Sequence, residues 1–193
     1  SDLDFGTGDF CIMGWFNSST VSRDYILHRY SASHFVFVRL NSSTGTIQMS
    51  VNSGGGSVAN SSNLTGGAWH NFTALRRNGF LELYVDGISA ATSVADTTDL
   101  TDTDAVLRVG NDSAGTRQFN NGSLALIRIS ATAPSPEQIA KIYNDEKHLF
   151  QDGAQATLYG SSDAVTALAY DDTTDLLHAG TSAGRSVFQG LRR

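Results

Sequence analysis

Trp69-His70-Asn71-Phe72-Thr73-Ala74-Leu75-Arg76-Arg77-Asn78-Gly79-Phe80-Leu81-Glu82-Leu83-Tyr84-Val85 is the stretch that decides the fold. Two runs rich in aromatic and apolar residues flank Arg77-Asn78-Gly79. An Asn-Gly pair accepts positive φ at both central positions of a type I′ turn, whose twist matches that of paired strands. The stretch therefore predicts an antiparallel hairpin, and Asp86-Gly87 predicts a second tight turn into Ile88-Ser89-Ala90. Upstream, Phe10-Cys11-Ile12-Met13-Gly14-Trp15-Phe16 is apolar on both faces, as expected for a strand in the middle of a sandwich. Tyr25 to Tyr30 and Phe35 to Leu40 read as further strands. In Thr46 to Val51, Ile47, Met49 and Val51 share one face and Gln48 and Ser50 the other. Residues 52 to 63 are predicted to be a flexible polar loop. Downstream come an acidic loop from Asp96 to Asp104 and strands at Ala105–Gly110 and Leu124–Ile129. Short strands at this spacing are those of a β-sandwich.

The pattern changes once. Ser135-Pro136-Glu137-Gln138 offers an N-cap serine, proline at the first helical position and glutamine three residues after the cap. Ile139, Ile142 and Tyr143 follow at helical spacing, so one helix is predicted over about 136–148. From Gly153 the chain turns back to β, with candidate strands at Ala156–Tyr159, Val165–Tyr170, Leu176–Ala179 and Val187–Gln189. Asp-Thr-Thr-Asp-Leu occurs at 96–100 and again at 172–176, read as two similar polar turns and not as a repeat architecture.

Composition narrows the classes of function. The chain has 193 residues, a net charge of −6 and 17% charged residues, with Gly, Ser, Thr and Asn filling the gap. That mix favours strands and turns over helices. The arginines are scattered and form no basic face, which excludes nucleic acid as a partner. The single cysteine, Cys11, cannot form an internal disulfide and reads as a buried, inert thiol. No apolar run approaches the ~20 residues that span a bilayer. A start at Ser1 without Met and a stop at Arg193 after a strand-like run lead us to expect a fragment of a longer protein.

The order of these features resembles the laminin-G-like, concanavalin A-like jelly-roll family. The stretches that carry the resemblance are Phe5-Gly6-Thr7-Gly8-Asp9-Phe10 leading to Trp15-Phe16, then Ile26-Leu27-His28-Arg29 and Gly67-Ala68-Trp69-His70. They continue with Leu81 to Gly87, Leu107-Arg108-Val109-Gly110, Asn121 to Ile129 and the Ser135-Pro136-Glu137-Gln138-Ile139 helix start. The match covers about residues 1 to 145. It implies an all-β, two-sheet antiparallel jelly-roll sandwich with one short C-terminal helix and a β-rich tail. The expected organisation is a sandwich over 1–133, a capping helix over 134–150 and a tail over 151–193 serving as an assembly element. In the tail, Leu177 to Gly184 resembles an edge of a propeller blade. The helix-plus-tail arrangement looks like that of phage and prophage tail or fibre proteins. The resemblance also implies that Trp69 packs inside.

The fold alone names no chemistry. Sandwich glycosidases need two facing carboxylates, and the related β-glucanases carry a Glu-x-Asp-x-x-Glu strand that is absent here. Glu82 and Asp86 share a face, but Asp86 is better used in its turn. The five histidines have no metal-ligand spacing, and no Gly-x-Ser-x-Gly stands in a strand-to-helix elbow. Calcium is the cofactor that the resemblance implies, held by hard oxygen ligands. Its candidate ligands are Asp9, Asp24 and Asp112, with the loop Asp96, Asp99, Asp102 and Asp104 behind them; the competing reading is turn-forming aspartates. Candidate sugar-binding residues are Tyr25, His28, Arg29, Tyr30, His34 and Arg117, against a reading of Tyr25 and Tyr30 as ordinary strand residues. Seven Asn-x-Ser/Thr triplets read as chance in a chain rich in these residues.

The sequence is thus expected to encode a non-enzymatic carbohydrate- or receptor-binding structural module, extracellular or in a virion, probing a surface glycan and assembling as a homo-oligomer or with another structural protein. The alternatives are a polysaccharide hydrolase using carboxylates from separated loops, such as Asp24 and Asp112, and an accessory adhesion module of a secreted bacterial protein.

Overall fold

A computed structural model describes residues 3–20, 22–52, 56–60, 62–150 and 164–189. The chain divides into two compact units, Ser1–Gln151 and Asp152–Arg193. The first unit holds β1 (Phe10–Ser18), β2 (Tyr25–Tyr30), β3 (Phe35–Leu40), β4 (Ile47–Val51), β5 (Ser57–Ala59), β6 (Trp69–Arg77), β7 (Phe80–Val85), β8 (Ile88–Ser89), β9 (Val94–Ala95), β10 (Val106–Val109) and β11 (Gly122–Ser130), then α1 (Pro136–Glu146) and a 3-10 turn over Lys147–Phe150. The second holds β12 (Val165–Asp171), β13 (Leu176–Thr181) and β14 (Gly184–Gln189).

Two antiparallel sheets make the sandwich. The first runs β11-β1-β6-β7-β8, with β9 also on β7, and the second runs β10-β2-β3-β4-β5. Hydrophobic side chains alternate along each strand, so one face of every strand feeds the core. Phe10, Ile12, Phe16, Phe72, Ala74, Leu81 and Leu83 meet Ile26, Val36, Val38, Leu40, Ile47, Met49 and Val51 between the sheets. Both Asn-Gly and Asp-Gly turns form as read: Asn78, Gly79, Asp86 and Gly87 have φ of 50°, 76°, 51° and 77°. The stretch expected to be loop over 52–63 contains β5, which pairs with β4 from Gln48↔Ala59 to Ser50↔Ser57.

β1 is buried along almost its whole length, and its second apolar face is covered by the helix. Cys11, Met13, Leu75 and Tyr84 pack beneath Ile139 of α1. Trp15 stacks on Tyr143 and on Phe150, with ring centroids 5.8 and 4.2 Å apart, and its indole Nε1 donates to Glu146 at 2.8 Å. The helix starts where the sequence placed it: Ser135 and Gln138 form the reciprocal capping box, with proline just inside. Trp69 departs from expectation. Its half-buried ring lies on this helix-covered face, 4.8 Å from Phe150, and not between the sheets. Burial pushes the Cys11 thiol up to about 12, so it stays protonated and unreactive at neutral pH.

Buried arginines close one end of the sandwich. Arg76, fully buried, donates to the carbonyls of Gly8 (2.8 Å), Thr98 (2.7 Å) and Gly6 (2.6 Å) and lies 3.7 Å from the buried Asp96 carboxylate. Arg29, 2% exposed, reaches the carbonyls of Leu100 and Asp102 and the carboxylate of Asp4. The first Asp-Thr-Thr-Asp-Leu is therefore no simple polar turn, because Leu100 is fully buried. The second copy does connect β12 to β13, with Asp175 at φ 55°.

In the second unit the strand order is β12-β13-β14, and Leu168 and Tyr170 remain 67% and 61% exposed. The strand expected at 156–159 lies outside the described residues. No helix among the described residues is long and apolar enough to cross a membrane.

Two substitutions test these contacts. Ile139→Ala removes the centre of the helix–sheet contact and lowers unfolding free energy by about 2–4 kcal/mol in urea denaturation. Arg76→Met leaves Asp96 and three carbonyls without their partner and lowers it by about 3–5 kcal/mol.

Candidate functional site

Among the described residues of the first unit, no helix packs on the outer face of the second sheet. Antiparallel register lays its side chains out as a grid. Val106, Tyr30 and Phe35 form one row, since Val106 pairs with Tyr30 and Tyr30 with Phe35. Arg108, His28, Phe37 and Ser50 form the next, and Tyr25, Arg39 and Gln48 the third. The same strands turn Ile26, Val36, Val38, Ile47 and Met49 into the core. One alternation thus supplies both the core and an aromatic, cationic surface.

The rings on this face pack on one another. His28 lies 4.9 Å from Tyr25, 5.3 Å from Tyr30 and 6.1 Å from Phe37, and Phe35 stacks on Phe37 at 5.8 Å. His28 is buried and its Nδ1 accepts the Ser113 N–H at 3.0 Å, which leaves Nε2 as the donor of the neutral ring. Its pKa is lowered to about 4, first by burial and then by Arg39 and Arg108, against the opposing pull of Asp112. Arg39 lies 4.3 Å over the Phe37 ring. Its Nη1 donates to the Tyr25 hydroxyl at 3.0 Å, and Nε and Nη2 donate to Gln48 Oε1 at 3.3 and 3.1 Å. At one end of the face, Tyr30, Val106, Arg108, Ser113 and Ala114 line a hollow of about 220 Å³. That is below the ~300–1,000 Å³ that holds a drug-sized ligand. Tyr30 offers an exposed aromatic surface there, at 40% exposure.

Of the expected sugar-binding residues, Tyr25, His28 and Tyr30 come together on this face. Arg117 adjoins it: its backbone carbonyl accepts from Tyr25 N at 3.4 Å, and its side chain is exposed. Arg29 points the opposite way, into the interior clamp described above. His34 sits at the β2–β3 turn, where its Nδ1 and the Ser31 hydroxyl both meet one oxygen of Asp102. Ser31 thus engages the carboxylate and not the imidazole, which makes the trio a turn lock and not a nucleophile–base pair. The Ser31 and His34 bonds hold the Asp102 carboxyl down at about 2. The sequence reading missed Phe35, Phe37, Arg39, Gln48 and Arg108. Their signal was the alternation of Phe35, Phe37 and Arg39 against Val36, Val38 and Leu40.

The three aspartates expected to bind calcium do not form one ligand set; among the described residues no group of three or more His, Cys, Asp or Glu side chains could hold a metal. Asp9 caps the β6–β7 turn through Asn78 N at 2.9 Å. Asp112 is taken up by its own loop, accepting from Thr116 N (2.7 Å), Thr116 Oγ1 (3.1 Å) and Arg117 N (3.1 Å). Burial pushes its carboxyl up, but those bonds outweigh burial and hold it below the ordinary range, the wrong direction for a general acid. Asp24 is buried, with Oδ2 unpartnered. Glu82 is held by Arg77 and by the Tyr84 hydroxyl at 2.7 Å, and Asp86 binds His70 and the Asn71 N–H, both at 2.8 Å. A larger hollow of about 620 Å³ lies between α1 and the end of β11, bordered by Met13, Pro134, Gln138, Lys141 and Ile142, and offers no aromatic ring. Of the Asn-x-Ser/Thr triplets, Asn60 and Asn71 are buried, which removes them as glycan acceptors.

The family model of the concanavalin A-like lectin/glucanases superfamily matches residues 1–140. The chain belongs to this superfamily. No curated protein sequence matches it. Solved structures share the fold at low identity. Domain 4 of an extracellular arabinanase from Geobacillus stearothermophilus, in complex with arabinotriose, superposes with a TM-score of 0.60 at 14% identity, over 74% of this chain and 69% of that one. The CBM40 domain of the Ruminococcus gnavus IT-sialidase, bound to α2,3 sialyllactose, gives 0.58 at 9%, over 72% and 84%. The LG1-3 region of the laminin α2 chain gives 0.53 at 18%, over 68% of this chain and 28% of that one. At these identities the likeness is one of fold.

The environment of His28 sets a pH response. Its folded pKa lies below its unfolded value near 6.5, so the unfolded chain takes up a proton that the folded chain refuses until about pH 4. Stability contributed by neutral His28 is present above 6.5 and declines as pH falls toward 4. Melting temperatures across that window decline less steeply in His28→Gln, whose amide oxygen can still accept from Ser113.

Proposed function

We propose that the first unit is a non-catalytic glycan-binding module whose ligand lies on the outer face of the second sheet. The observation that carries this reading is the grid around His28. Aromatic rings and fixed N–H donors share one sheet face, on which Tyr25, His28 and Phe37 are buried, and one exposed ring, Tyr30, lines a hollow of about 220 Å³. Sugars present apolar C–H faces that stack on rings and hydroxyls that pair with immobilised polar groups. Both kinds of surface are prepared here before binding, which lowers the ordering cost. The glycans held by the arabinanase and sialidase domains of the same fold support the reading. No carboxylate on this face is placed to act as an acid–base pair with another, which favours binding over hydrolysis. In this reading the module works outside the cell or on a virion, and the β-rich second unit serves assembly.

The test is a glycan array followed by calorimetry on the purified chain, run with Ca²⁺ and with EDTA. Binding of a defined glycan is expected, weakened about two- to tenfold in Tyr30→Ala with the circular dichroism spectrum unchanged. Failure of every glycan to bind sinks the reading. Loss in EDTA would assign a metal to the site; persistence would remove calcium from it.

A further inference from the structure

We propose that Arg39 is an anchoring subsite for the carboxylate of an acidic oligosaccharide, an inference that rests on the glycan-binding reading of this face. A guanidinium carries five N–H donors. Three are engaged, two by Gln48 Oε1 and one by the Tyr25 hydroxyl, so one N–H remains on each terminal nitrogen. All of these partners are neutral. None of the ion pairs among the described residues includes Arg39.

The group is also immobilised. It lies 4.3 Å over the Phe37 ring and 5.6 Å from that of Tyr25, so the rotamer freedom that a free arginine loses on binding is already lost. The N–H groups left on Nη1 and Nη2 can donate to the oxygens of a carboxylate. Arg108 stands exposed beside His28 on β10, and the Asp112 carboxylate nearby is filled by its own loop. Arg39 lies four residues along β3 from Phe35, about 13 Å at ~3.3 Å per residue. A ligand stacked on Tyr30 and Phe35 therefore reaches Arg39 only if it has more than one sugar ring.

The experiment compares, by calorimetry at low salt, one acidic oligosaccharide with its methyl ester, its neutral counterpart and a sulfated analogue. Wild-type protein is expected to bind the free acid at least about tenfold more tightly than the ester. That ratio should collapse toward one in Arg39→Gln and recover in part in Arg39→Lys, which keeps the charge without the fork. Equal affinity of wild type for acid and ester overturns the inference while glycan binding stands, and this comparison needs no variant to fold. Preference for sulfate over carboxylate overturns the carboxylate assignment. Failure of all four compounds, on a protein shown to bind no glycan, takes down both readings.

Discussion

A guanidinium with no access to water holds the first unit closed. Arg76 gathers three backbone carbonyls and the Asp96 carboxylate, and its guanidinium lies 5.1 Å over the Phe10 ring. Asp96 in turn accepts the Gly56 N–H at 3.1 Å and the Thr98 N–H at 2.7 Å. One charge pair thus ties β6 to the turn before β1, to the chain entering β5 and to the segment that crosses between the sheets. Burying a charge is tolerable only when its donors are filled, and here the irregular segments supply the acceptors. Their own carbonyls would otherwise be buried without partners. Arg29 repeats the arrangement from the opposite sheet, and Leu100 fills the space between the two clamps.

The two sheets differ because, among the described residues, a helix packs on only one of them. α1 and the turn after it cover the first sheet, and the aromatic residues there, Trp15 and Trp69, are consumed by packing. On the second sheet the outer aromatics pack around a buried histidine: Tyr25 and Phe37 are buried with it, and Tyr30 stays exposed. Burial and two arginines hold that histidine neutral, so it offers one acceptor to the Ser113 loop and one donor outward. The loop from Asn111 to Arg117 is shaped by Asp112, and it borders the hollow only because that aspartate is spent on its backbone.

Strand positions were legible where chemistry was local. The Asn78-Gly79 and Asp86-Gly87 turns and the Ser135–Gln138 capping box each depend on residues close together in the chain, and each formed as read. What escaped the sequence depends on contacts between distant residues. The two apolar faces of Phe10–Phe16 signalled burial on both sides, yet the sequence offered no way to see that α1 provided the second cover. β5 and β9 are short, and their pairing comes from their neighbours and not from strong propensity. The acidic loop looked like a metal site because its carboxylates are conspicuous, whereas Asp96, Asp99 and Asp102 are engaged by Arg76, Thr101 and the Ser31–His34 turn. In the candidate site, Tyr25, His28 and Tyr30 were recognisable as aromatics on one strand, but Arg39 and Phe37 needed the register of β2 on β3.

Tyr25, His28, Tyr30, Phe35, Phe37 and Arg39 all belong to a single hairpin, and its alternate residues build the core. Change in this lineage therefore has a short track to run on. Substitutions at these outward positions, all within fifteen consecutive codons, can rewrite that face while the interleaved positions keep the sandwich folded.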